Sequence, residues 1–389
     1  ANNLTLTNAV AMNTAGGTVN VDSAMTFTLG GTITNGVGAG ALTKTGDGTL
    51  VLAGNSTFSG GTSLQGGTLR LGSNNALGSG GLATSGAVTV DYANGVTIGN
   101  AITTTGGATS LNTDTGVTAQ QTGAVTATGL GIAKTGAGTL IVNNLTAGLA
   151  YISAGTLQGG AANAFGSGTN IFVGGTFDLG GFNQSLAGIV GTTSGIVTNN
   201  GASAATLTLA PPSGTLAFDG TLTDGSKALG LTLNGASDST YVLTGTNTYS
   251  GATTVTSGTL QVDGSITSAS TVSGGILSGT GQVGAVTVNS GGALVGGTIG
   301  TPGMLTVNGN LTMNAGSAYV VFANPTLIGN TLVTGTASLR VRQRADRAAL
   351  SGGPVHADDG AGRHHRRHDV LRAEHARLRL QRAQSAAVL

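Results

Sequence analysis

The triplet Gly-Thr-Leu begins at Gly48, Gly67, Gly138, Gly155, Gly214 and Gly258, and longer stretches repeat around it. Residues 42–71 read LTKTGDGTLVLAGNSTFSGGTSLQGGTLRL, 132–158 read IAKTGAGTLIVNNLTAGLAYISAGTLQ, and 233–262 read LNGASDSTYVLTGTNTYSGATTVTSGTLQV. Within the copies, Leu50 and Leu69, Leu140 and Leu157, and Leu243 and Leu260 mark strand-like segments 17 to 19 residues apart. A short internal period constrains a chain strongly, because each unit must bury its apolar face against the next. The segments TLVLAG, GTLRLG, AVTVDY and TLTLAP alternate Leu or Val with Thr, bounded by Gly, Asn and Ser, which is the pattern of short strands. Two or three such strands per period of about eighteen to twenty residues predict an all-β solenoid, a parallel β-helix. Roughly seventeen coils at about 4.8 Å each would make a rod of about 80 Å.

Composition agrees with a thin core repeated along one axis. Of 389 residues 71 are glycine, only 3% are aromatic, 7% are charged and none is tryptophan, so a broad globular core is excluded. Five prolines and no three-residue glycine period exclude collagen. A hydrophobic share of 39% and a mean hydropathy of +0.23 argue against disorder. There is no cysteine, hence neither a disulfide frame nor a thiolate metal site. The opening ANNLTLTNAV lacks the charged start and apolar block of a signal peptide, which is expected to be absent or removed. No run of eighteen apolar residues is present to span a membrane as a helix.

The stretch KTGDGTLVLAGNSTFSGGTSLQGGTLRLG, residues 44–72, resembles the passenger-associated repeat of bacterial autotransporters. In that repeat a Lys-Thr-Gly-x-Gly-Thr-Leu strand is followed by an aromatic-Ser-Gly-Gly-Thr segment and a Gly-Thr-Leu strand. Residues 134–157 form a shortened copy without the aromatic element, and residues 233–262 keep TYSGATTV but carry Leu233 and Asn234 in place of the leading Lys-Thr. The resemblance implies a right-handed parallel β-helix exported through the outer membrane by a C-terminal β-barrel, and therefore a cell-surface or extracellular location. It also implies a parent barrel translocator as partner, which this chain is expected to lack; host or bacterial surface glycans or proteins, or further copies of the chain, are the binding partners expected of an adhesive passenger.

Charge divides the chain into a β-helix over residues 1–339 and a tail over 340–389. Up to Leu339 there are four basic residues (Lys44, Arg70, Lys134, Lys227), nine aspartates and no histidine; beyond it stand eleven arginines, five acids and all five histidines. Arg and His alternate there with Ala and Leu without a sustained helical face or base-stacking aromatics, so no nucleic-acid role is expected. One permitted back-translation of residues 355–381, read one base over, restores the Gly/Thr character of the body. The tail is accordingly expected to be a frameshifted extension, unstructured or weakly helical, that starts near Arg340, adds no coil and leaves the last sheet edge open.

No catalytic, cofactor-binding or metal site is predicted, and no cofactor. His364, His365, His368 and Asp369 have metal-ligand spacing but fall in the tail. GTGQVG at 279–284 fits a dinucleotide fingerprint without the helix that should follow it. GGTFDLGG at 174–181 lacks the tandem aspartates of a calcium β-roll and reads as a turn. Asp219 and Asp224, followed by Lys227, are the nearest acidic pair in the body and read as turn residues. The body, without histidine, contains no Ser-His-Asp set. Irregularly spaced Thr runs such as TITN and ITTTG read as solvent-facing strand residues. The expected function is a non-catalytic passenger fragment for adhesion, self-association or spacing; the competing class is a β-helical polysaccharide lyase or hydrolase.

Overall fold

A computed structural model describes residues 3–129 and 131–340 and the short strand Ala387–Val388. Alternation of inward Leu, Val and Ile with outward Thr and Ser builds strands alone, and these wind into stacked parallel coils with no helix among the described residues. Each coil passes an upstream face, a long sheet and a downstream face before the next begins. The long sheet has 16 strands, from Asn3–Leu6 to Ala318–Val320. The upstream face is a seven-stranded sheet from Gly17–Asn20 to Leu145–Ala147, continued by an eight-stranded sheet from Gln184–Leu186 to Ala337–Leu339. The downstream face starts with the pair Val10–Met12 and Ile33–Asn35, and continues through a seven-stranded sheet that ends at Thr221–Leu222 and a six-stranded one that begins at Thr246–Asn247.

Sixteen stacked strands span about 72 Å at about 4.8 Å per step, slightly less than expected. The coil count falls short of seventeen because coils are longer and more variable than the repeat suggests. Thr259 pairs with Ile276, 17 residues on, whereas Gly191 pairs with Phe218, 27 residues on. The pairing also corrects one equivalence: Leu260 lies beside Tyr241, and Leu243 beside Val262.

The core is a set of side-chain columns. On the long sheet Leu50, Leu69, Val90, Leu111, Lys134, Ile152 and Val173 are successive cross-strand partners, all buried. Glycine is required where one corner rests on the next. Gly67 has φ +64°, and a Cβ there would lie 2.4 Å from the Gly48 carbonyl oxygen; Gly155, φ +65°, repeats the arrangement against Gly136 and Gly138.

Near the C-terminal end two loops leave the prism. Gly297–Thr298 pairs antiparallel with Thr301–Pro302, and Ala323 bridges Ile328 around a turn fixed by Asn324. At residue 340 the backbone N–H still donates to the Met313 carbonyl, in step with the coil below. Ala387–Val388 pairs antiparallel with Leu332–Val333, so the edge expected to be open is partly paired at these two residues. The rest of the predicted tail, with His364, His365, His368 and Asp369, lies outside the described residues.

Candidate interaction surface and the repeat corners

The two repeat lysines point inward. Lys44 belongs to Leu42–Thr45 of the upstream face, between Val19 and Leu64; Lys134 belongs to Ile132–Thr135 of the long sheet, between Leu111 and Ile152. Thr43 and Thr45, or Ala133 and Thr135, alternate with the lysine, which shares its side with Leu42 or Ile132, so strand geometry alone sends the ammonium into the interior. There it meets backbone oxygens at the corner. Lys44 Nζ donates to the carbonyls of Thr45 (2.9 Å), Gly46 (2.7 Å) and Gly66 (3.0 Å). Lys134 Nζ donates to those of Thr135 (2.6 Å), Gly136 (2.7 Å) and Ala154 (3.3 Å). Burial lowers the pKa of both, that of Lys134 to about 8; for Lys44 the nearby Asp47 carboxylate partly offsets the effect.

The outer surface of the long sheet carries two aligned columns. Thr26, Thr49, Thr68, Thr89 and Ser110 stand in register on five successive coils and give way to Ala133, Tyr151, Phe172 and Val190. Tyr151 is 37% exposed, and its ring lies 5.8 Å from that of Phe172 at 42°. Beside the hydroxyl column, Arg70 pairs with Asp91 and approaches Asp114 at 3.5 Å. Asn112 donates to Asp91 (2.8 Å) and Asp114 (2.9 Å), and accepts from the Thr135 hydroxyl. This face therefore offers hydroxyls and an aromatic patch along one column, and one held cation with its carboxylates in the column beside it.

The residues weighed for chemistry serve the coils. Asp224 accepts the N–H groups of Leu229 (2.8 Å) and Ser250 (3.1 Å); partial burial opposes its ionisation, but these bonds prevail and hold the carboxyl below its usual range. Asp219 accepts the Thr244 hydroxyl at 2.7 Å. Asp178 is buried, accepting the N–H groups of Gly180 and Asn200 and the Gln158 amide. GTGQVG itself contains the strand Gln282–Val283 and is followed by another, Val286–Val288, where a dinucleotide fingerprint would need a helix. Among the described residues no three of His, Cys, Asp or Glu converge as metal ligands, and no helix is long and apolar enough to cross a membrane. A shallow groove of about 410 Å³ runs along corners of the upstream face; its lining, which includes Ser59, Gly60, Gly61, Gly80, Gly81 and Thr103, holds no ionisable side chain.

Residues 42–71, 132–158 and 231–262 match the family model of the passenger-associated-transport-repeat. The first and third begin on the upstream face, whereas the second begins on the long sheet, one face further round. The repeating unit is thus a strand-corner-strand piece that fits more than one edge of the prism. The three matches support an autotransporter passenger with repeats. Neither a curated protein nor a solved structure matches the chain.

Proposed function

We propose that this chain is a rod-like passenger segment, displayed at the cell surface or secreted, that works by contact and not by turnover. The observation that carries this reading is the placement of three passenger-repeat segments within one continuous coil stack whose long face presents the hydroxyl column and the Tyr151–Phe172 patch. Repeated weak contacts along such a line give avidity without a deep pocket. Its partners are surface glycans or proteins, or further copies of itself, and a barrel translocator serves it in the parent protein. Adhesion uses the exposed Tyr151 ring and the half-buried Phe172 ring against it, since a ring face gives apolar contact at low entropic cost.

The purified chain and its Tyr151→Ser/Phe172→Ser double variant are compared for retention on an immobilised polysaccharide panel and for self-association by sedimentation velocity. The variant keeps its circular dichroism and loses about tenfold or more in the interaction that the wild type shows. Equal retention by both proteins would contradict the surface assignment. Release of reducing ends or unsaturated products from the panel would instead establish the enzyme reading.

A further inference from the structure

The lysine cages admit a comparison among the three repeat copies. In the first two, an ammonium with three N–H donors meets three backbone carbonyls, two from its own corner and one from the following coil: Gly66 lies 22 residues beyond Lys44, and Ala154 lies 20 beyond Lys134. No carboxylate forms an ion pair with either lysine among the described residues. In the third copy Leu233 occupies the matching strand position, opposite Val255 as Lys44 is opposite Leu64. There the register slips by a bulge between Leu233 and Asn234, and the Thr256 hydroxyl from the next coil donates to the Leu233 carbonyl (3.0 Å) and to Asn234 Oδ1 (3.1 Å). The third corner thus differs in register, and its hydroxyl serves the carbonyl equivalent to that of Lys44, which accepts the Gln65 N–H in the first copy.

We propose that each Lys-Thr-Gly corner is a binding site for a primary ammonium group, with the chain's own lysine as resident ligand, and that filling it fastens one coil to the next. The cage is completed only when the following coil supplies Gly66 or Ala154. The lysine thereby couples burial of its charge to forward stacking of the chain. A carbonyl left bare in this interior loses its hydrogen-bond partner without regaining water, which makes the corner open locally more often.

The test uses hydrogen exchange in the full chain. The Gln65 amide, which donates to the Lys44 carbonyl, reports the first corner; the Ser153 amide, which donates to the Lys134 carbonyl, is the internal reference. Lys44→Met keeps an apolar stem and removes the donors; it lowers protection at Gln65 by about tenfold and leaves Ser153 unchanged. Lys44→Ala, refolded with n-propylammonium, regains protection at Gln65, and tetramethylammonium, which has no N–H, gives no recovery. If Lys44→Ala does not fold unaided, the yield of folded chain with each cation is the readout. Unchanged protection in Lys44→Met, or equal effects of the two cations, would overturn the proposal.

Discussion

At the scale of single residues, the unusual groups are amines placed where the pattern asks for leucine. Lys134 is held at about 8 by burial, below its ordinary 10.5. Between these values the unfolded chain binds the additional proton, so stability increases as pH rises above about 8. Buried tyrosines act in the opposite sense: Tyr249, raised by burial to about 12 from 10.0, adds stability that is present below pH 10 and lost as pH climbs through 12. The informative interval is therefore about pH 8 to 9.5. The thermal midpoint is expected to increase across it, with a smaller slope in Lys134→Met. A flat or falling wild-type midpoint, recorded by circular dichroism, would contradict a lowered pKa for this amine.

At the scale of elements, one strand contains both strong and weak contributions. Leu69 is fully buried between Leu50 and Val90, and Leu69→Ala is expected to cost about 2–5 kcal/mol in urea unfolding. Its neighbour Arg70 faces outward at 32% side-chain exposure, and Arg70→Ala should cost no more than about 1 kcal/mol. Equal costs would show that the facing of Thr68–Leu71 is wrong. This strand was legible in the sequence, because TLRL alternates cleanly. The facing of Lys134 was written there too, in I-A-K-T, where it shares a side with Ile132; the usual preference of lysine for water conceals it. Tyr151 and Phe172 were hidden for the converse reason. LAYI and NIFV are largely apolar and read as buried on both sides, and only stacking against Ala133 and Val190 shows which ring faces out. Leu243 and Leu260 were misaligned because Tyr241 and Leu243 both point inward, so two registers satisfy the pattern and corner length decides between them. The Arg70–Asp91 pair, one coil apart, needed a known coil length before the 21-residue gap carried meaning.

At the scale of the whole molecule, architecture follows from repetition, and stability from contacts between neighbouring coils. Insertions such as the hairpin at 297–302 lengthen coils without breaking the stack, which explains why the period counted from sequence gave too many coils. The same tolerance lets a passenger-repeat segment start on either of two faces. Function, on this account, depends on the columns that stacking brings into line, so the stacking register is what most needs testing. The chain has no cysteine, which makes engineered crosslinks unambiguous. Thr68→Cys/Thr89→Cys and Thr89→Cys/Ser110→Cys join register partners on adjacent coils. Thr68→Cys/Ser110→Cys skips a coil and separates the two sites by about 9.6 Å, beyond the roughly 7 Å that a disulfide bridges. Under mild oxidation, quantitative intramolecular disulfides in the first two variants and none in the third are the predicted result; bridging of the third, or failure of both adjacent pairs, would contradict the stacked-coil account.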